Sequence, residues 1–158
     1  MHFTCKSVLA VAGFAFALAA FSVGPISSAS AGVIQDRKAL MKTVGKSNKI
    51  VKKYKKGEAT AEEALAAIKA MRKALKASTK KALWPTDSLR PIKGAKKTRA
   101  KAKIQKDWDS FVKAGIKTRK KARKLSILIQ AGDMASVKKV KLSCGGCHKP
   151  FRGKKVKR

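Results

Sequence analysis

Two cysteines three residues apart, followed at once by a histidine, are the side chains in this sequence best suited to chemistry: Cys144, Cys147 and His148, in the run Cys144-Gly145-Gly146-Cys147-His148. This C-x-x-C-H spacing reads as a site for covalent attachment of a c-type haem. On a helix, residues i, i+3 and i+4 share a face. Both thiols can then form thioethers to the two vinyl groups of one porphyrin, and the imidazole can reach the iron of that macrocycle as its proximal ligand. Two plainer readings compete. A closed structural zinc site needs about four ligands, and apart from the leader described next the chain offers only these three. A redox-active dithiol usually opens a helix that follows a strand, and no strand pattern precedes Cys144.

The elements that must position these three residues lie in the mature part of a chain expected to be exported. Met1-His2-Phe3-Thr4-Cys5-Lys6, an apolar run from Val8 to Val23 and Ser27-Ser28-Ala29-Ser30-Ala31 have the form of a secretory signal with an Ala-x-Ala site. Cleavage is expected after Ala31. The apolar run is short for a membrane span. Residues 1–31 are thus expected to be a signal peptide and residues 32–158 a single domain with one core. Haem of this type is attached after secretion, so a periplasmic location follows.

Of 40 Lys+Arg only Lys6 lies in the leader and none of the 8 Asp+Glu do, leaving 39 against 8, a charge of +31 for the mature domain. Such a charge repels itself and attracts acidic partners in a salt-sensitive way. The lysine runs, such as Lys117 to Lys124 and Lys52 to Lys56, read by themselves as solvated helix faces. No helix-turn-helix, RRM or zinc-finger pattern accompanies them and aromatic content is only 6%, which argues against specific nucleic-acid binding.

Apolar residues at three- and four-residue steps predict four helices. The first runs from Val33 to Lys56 and stops at Gly57. Thr60-Ala61-Glu62-Glu63 caps a second, which carries Leu65, Ile68, Met71 and Leu75 and ends near Leu83, because Pro85 disfavours helix at Trp84. Trp84 to Gly94 is a crossing loop with two prolines. The third helix starts around Lys96 to Thr98 and buries Ile104, Trp108, Phe111, Gly115, Ala122, Leu125 and Ile129. Asp133 caps a fourth that runs through Cys144 and Cys147 to Phe151. Four helices without a strand signal predict an all-α fold, an antiparallel four-helix bundle of left-handed twist.

A secreted single-haem chain of four helices, with Cys-x-x-Cys-His in the last, resembles the class II c-type cytochromes: cytochrome c prime and its low-spin relatives. The resemblance covers essentially the whole mature chain. It is carried by Arg37 to Lys42, Leu83-Trp84-Pro85, Trp108 and Phe111, Ala131-Gly132-Asp133, and Cys144 to Arg152. The segment from Asp133 to Cys144 is about one helical turn shorter than the relatives' pattern. In low-spin members a methionine of the first helix, in an Arg-x-x-x-Met-Lys setting, is the sixth iron ligand. Arg37 and Met41 occupy that setting here. By spacing alone Met41 falls on an apolar stripe, where most methionines only fill core space, so its ligation is what the resemblance implies. Arg37 and Arg152 are candidates to pair with haem propionates, against the plainer reading of solvated or carbonyl-bonded arginines. Trp84, Trp108 and Phe111 read as core or haem-wall packing rather than electron relays.

These readings predict a periplasmic carrier of single electrons, not an enzyme, in which Cys144 and Cys147 tether one haem c and His148 and Met41 ligate its iron. Lysines around it would steer it to acidic redox partners. If Met41 only packs, the sixth position is open and the protein is instead a binder of NO or CO. A third alternative is a polycation that binds anionic polymers or an anionic membrane surface. Many relatives pair as homodimers through the first two helices, an arrangement that this charge opposes.

Overall fold

A computed structural model describes residues 27–89, 98–142 and 144–153. The apolar leader and its expected signal function lie outside the described residues, apart from the first turn of helix α1, Ser27–Lys55, which runs through Ala31 without interruption. Helix α2 follows at Ala61–Ser78, α3 at Lys103–Lys106, α4 at Trp108–Gln130, α5 at Met134–Lys139 and α6 at Cys144–Phe151. The chain is an all-α bundle. α1 packs on α2, α2 on α4, and α4 on both α5 and α6, while α5 returns to α1, so the short α5 and α6 together fill the fourth place.

Local chemistry sets most of these boundaries. α1 ends in a Schellman motif, with Gly57 at φ 81°, Gly57 N donating to Tyr54 O at 3.0 Å and Glu58 N to Lys53 O at 3.0 Å. Glycine takes this left-handed conformation without a Cβ penalty. α4 ends the same way at Gly132, φ 69°, where Asp133 N donates to Leu128 O at 3.0 Å. The N-terminus of α2 is a capping box: Glu63 N donates to Thr60 Oγ1 at 3.1 Å and Thr60 N to Glu63 Oε2 at 2.8 Å, which satisfies two otherwise orphaned donors.

Two expected helix limits are corrected. α2 stops at Ser78, not Leu83, because Trp84 folds back and its Nε1 donates to Ser78 O at 2.8 Å. Residues Lys81–Leu83 and Thr86–Leu89 form 3-10 turns instead. The third helix begins at Lys103 rather than near Lys96 to Thr98 and is interrupted at Asp107. Residues 98–101 are not helical, since Arg99 to Lys101 pair with residues 151–153. Ala100 and Arg152 form an antiparallel bridge, Gly153 N donates to Arg99 O at 2.7 Å and Lys101 N to Phe151 O at 3.0 Å.

The fourth helix is two pieces. Val140, at φ −73° and ψ 114°, leaves the helical region, and Lys55 Nζ donates to its carbonyl. An extended residue advances the chain by about 3.3 Å against 1.5 Å in a helix. Val140 to Leu142 lie outside both helices, so α5 and α6 are joined by a stretch with more reach per residue than a continuous helix would have.

Ser136 N donates to Asp133 Oδ1 at 2.9 Å at the start of α5. The hydrogen bonds from Ser136, and secondarily Lys139, hold the Asp133 carboxyl below its ordinary value. A carboxyl with a depressed folded pKa stabilises the fold above its unfolded value, and that contribution is lost as pH falls through the folded one. Acid titrations of thermal stability are thus expected to show less loss for Asp133→Ala than for the unaltered chain once pH falls below about 4.

The core has two parts. One joins α1, α2, α4 and α5 through Val44, Val51, Ile68, Met71, Leu75, Leu125, Ile129 and Val137. The other gathers Leu89, Ile104, Phe111 and Phe151, with Trp84, Trp108 and Cys147 against them. In the second cluster Phe111 is the hub, with ring centroids 4.8 Å from Trp84, 5.5 Å from Trp108 and 5.4 Å from Phe151.

Candidate haem site

α6 carries Cys144, Cys147 and His148 on consecutive turns of one face, so both thiols and the imidazole point the same way. Both cysteines are free thiols and half-buried. Two cavities open beside them. The larger, about 440 Å³, is walled by Ile34, Arg37, Met41, Trp84, Phe111, Phe151, Cys147 and His148, with Thr98, Arg99 and Arg152 at its edge. The smaller, about 150 Å³, reaches from Cys144, Cys147 and His148 past Phe111 and Trp84 to Met41, Val44, Gly45 and Asn48 of α1. Cys147, His148, Met41, Trp84 and Phe111 line both, so the two are neighbouring parts of one slot between α1 and α6.

Met41 is not core filling. At 36% exposure it is one of the two most exposed large apolar side chains among the described residues, and it faces the slot. Met71 is 1% exposed and lies within the first core cluster, and Met134 packs against it. Neither lines the slot. Thioether sulfur and imidazole nitrogen are thus brought to the walls of the same space from different helices. Gly45 on the same wall has nothing within 4 Å of where a Cβ would stand, so its lack of a side chain leaves that wall open. Gly115, also on the slot, lets α4 approach the end of α2: a Cβ there would lie 2.7 Å from Thr79 Cγ2.

Electrostatics at the slot are set by burial and by arginines. Burial first, then Arg152 and Arg99, push the His148 imidazole below its ordinary value, which favours the neutral form that binds metal. Burial, and secondarily Cys144, raise the Cys147 thiol. Arg99, whose Nε and Nη2 donate to Gly153 O at 3.1 and 2.7 Å, was not distinguishable in the sequence, where it closes the basic run Lys96-Lys97-Thr98-Arg99. Only the pairing of residues 99–101 with the chain end brings it here.

Arg37 is 5% exposed, and its guanidinium is turned onto the loop after α2. Nη1 donates to Leu83 O at 3.0 Å and to Ser88 Oγ at 2.7 Å, and Nη2 donates to Ser88 O at 2.8 Å. Its carbon Cζ stands 4.6 Å from the Trp84 ring centroid, a cation–π contact. Burial pushes its pKa down to about 10. Arg37 therefore pins the segment that places Trp84 on the slot, while Arg152 is exposed at the slot's edge. Arg37→Ala strands the carbonyl of Ser88, a residue with 0% exposure. That is expected to cost about 1–3 kcal/mol, read as a lower urea midpoint with an unchanged slope.

The sequence pattern of the Cytochrome C' family matches residues 32–152. The chain belongs to the Cytochrome C' family. It is a haem c-type cytochrome, and the group that its family holds is covalently attached haem c. A comparison with curated proteins returns no match. The residues present fit that group. Two free thiols stand at the spacing of thioether attachment, the histidine beside them is kept neutral, and an apolar slot with cations at its rim opens in front of them. Among the described residues of this cytochrome, no helix is long and apolar enough to cross a membrane.

Proposed function

We propose that this cytochrome is an exported carrier of single electrons whose haem c is tethered by Cys144 and Cys147 and ligated by His148 and Met41. The observation that carries the reading is that Met41, on α1, and His148, on α6, line the same two cavities, and that neither Met71 nor Met134 lines them. Haem iron bound there supplies a one-electron redox couple. Cys144 and Cys147 would hold the group to α6 as thioethers, and His148 and the thioether of Met41 would be its iron donors. Trp84, Phe111 and Phe151 would present an apolar wall to it, and the cations Arg99 and Arg152 would favour the more electron-rich reduced state and a higher potential. Arg152 and Arg99 are the proposed partners of the propionates, with Arg37 contributing from the wall.

Export is supported by the signal-like leader and by the start of the family match at residue 32, directly after Ala31. The +31 charge supports acidic redox proteins as partners, met at the lysine-rich slot edge where Lys38 and Lys42 stand. The same charge leaves an anionic membrane surface as a further partner and opposes pairing with a second copy. The test is a potentiometric titration followed by stopped-flow reduction with an acidic redox protein. A reversible one-electron couple whose exchange rate falls steeply with salt supports the carrier. A couple that is irreversible, or a rate indifferent to salt, contradicts it.

A further inference from the structure

Among the described residues two large apolar side chains stand out in solvent, Met41 at 36% exposure and Ile127 at 54%. Met41 faces the haem slot, and Ile127 faces a different cavity, of about 580 Å³, in the groove between α2 and α4. The two helices run in opposite directions there. Gly115, near the start of α4, stands against Thr79 at the end of α2, while Gln130, the last residue of α4, lines the cavity together with Leu65 from the first turns of α2. Facing residues therefore meet in three rungs, each one helical turn from the next: Leu65 across from Gln130, Ile68 across from Ile127, and Arg72 across from Arg123.

The polarity of the rungs runs one way. The first two carry no charge, and their floor is the buried Ile68 between half-buried Leu65 and Ile127. The third sets two arginines across from each other, with Lys69 adding a further positive charge, and no acidic side chain lines the cavity. Among the described residues the one ion pair, Lys56 with Glu58, lies elsewhere. Like charges across a groove repel, and an anion seated between them turns that repulsion into attraction. Arginine is the minority cation of this chain, 8 of 40 basic residues, and three of the eight, Arg37, Arg99 and Arg152, line the haem slot. Its planar fork holds a carboxylate at two points, where lysine offers only a point charge.

This order of rungs restricts the ligand. A polyanion carries charge along its whole length, and two of the three rungs offer it none. A small inorganic anion would leave Ile127 uncovered. A lipid with two chains is too broad, since packed helix axes lie about 8–10 Å apart and the groove between them admits one chain. The rungs from Leu65 to Arg72 span about 10 Å, the length of a medium acyl chain. We propose that the groove between α2 and α4 binds a single-chain anionic amphiphile, a medium-chain fatty acid, with its carboxylate between Arg72 and Arg123 and its tail over Ile68, Ile127 and Leu65. The site does not depend on how the haem iron is ligated.

The test uses the haem-loaded protein and calorimetric titration at fixed ionic strength with three probes: decanoate below its micellar concentration, acetate, which is the head without the tail, and decanol, which is the tail without the head. Decanoate is expected to bind one to one without moving the visible spectrum of the haem, and acetate and decanol each about tenfold or more weakly. Arg72→Gln combined with Arg123→Gln is expected to weaken decanoate about tenfold or more, and Ile127→Ser about fivefold. Lys46→Gln combined with Lys49→Gln removes the same charge from α1 and is expected to weaken it about twofold at most. All five side chains are exposed, and circular dichroism checks that each variant stays folded. Equal losses in the two double variants would overturn the clamp in favour of diffuse net charge. A haem spectrum that shifts on adding decanoate would place the ligand in the slot and overturn the groove. Failure to bind decanoate, with binding to phosphatidylglycerol vesicles that is lost in Ile127→Ser, would overturn the free fatty acid and make the groove a membrane contact.

Discussion

Met41→Ala is expected to leave the fold nearly intact and to change the iron completely. Met41 is 36% exposed and belongs to neither core cluster, so its truncation should cost well under the roughly 2–5 kcal/mol of a buried methionine. If its sulfur is the sixth ligand, the variant becomes five-coordinate and high-spin, its potential falls, and carbon monoxide binds where it did not before. A side chain that only packed would give the reverse pattern, a change in stability with the spectrum unmoved. The paired control is Met71→Ala. Met71 is 1% exposed in the first core cluster, so this variant should lose several kcal/mol and keep the iron spectrum of the parent. Urea denaturation and visible spectra on the two variants separate ligation from packing without reference to any relative.

Replacing both thiols, Cys144→Ser with Cys147→Ser, is expected to abolish haem that survives denaturing electrophoresis, while much of the helix content remains. The reason lies in the division of the core. The cluster that joins α1, α2, α4 and α5 contains no residue of α6, whereas Phe151 and Cys147 belong to the cluster around Phe111. Loss of the tether should therefore loosen α6 and its pairing with residues 99–101, and leave the helices held by Val51, Ile68, Met71 and Leu125 in place. Hydrogen exchange is the measurement. Protection is expected to persist in α1 and α2 and to fall at Lys101 and Gly153, whose amides bond to Phe151 O and Arg99 O. A uniform collapse of protection would show instead that the two clusters fold as one unit.

The parts of this fold that were legible in the sequence are those fixed by local chemistry. Gly57 and Gly132 mark helix ends because a left-handed residue there closes a Schellman motif, and Thr60 with Glu63 marks a start because each side chain satisfies the other's backbone. That Cys144, Cys147 and His148 converge on one cavity was legible for the same reason: three residues at i, i+3 and i+4 need only a helix to share a face. What escaped depended on distant partners. The stretch 98–102 has a helical composition, yet the amide of Lys101 and the carbonyl of Arg99 are taken by Phe151 and Gly153, about fifty positions away. Leu83 falls outside α2 because an indole six residues after Ser78 takes the carbonyl that ends the helix. The break at Val140 sits where Lys55, on another helix, takes the carbonyl. Arg37 is one of 40 basic residues, and nothing in its neighbours shows that it alone would be buried across Ser88.

Met41 is the proposed second iron donor beside His148, and one measurement tests this most directly. Visible spectra of the haem-loaded protein, oxidised and reduced, with and without carbon monoxide, report the occupancy of the sixth position. With Met41 bound, the expected result is a low-spin ferrous spectrum with a sharp alpha band, a sulfur-to-iron charge-transfer band in the oxidised form and no response to carbon monoxide. A high-spin spectrum that shifts when carbon monoxide is added would contradict it. It would make Met41 part of the slot wall alone and turn the protein from an electron carrier into a binder of small gases.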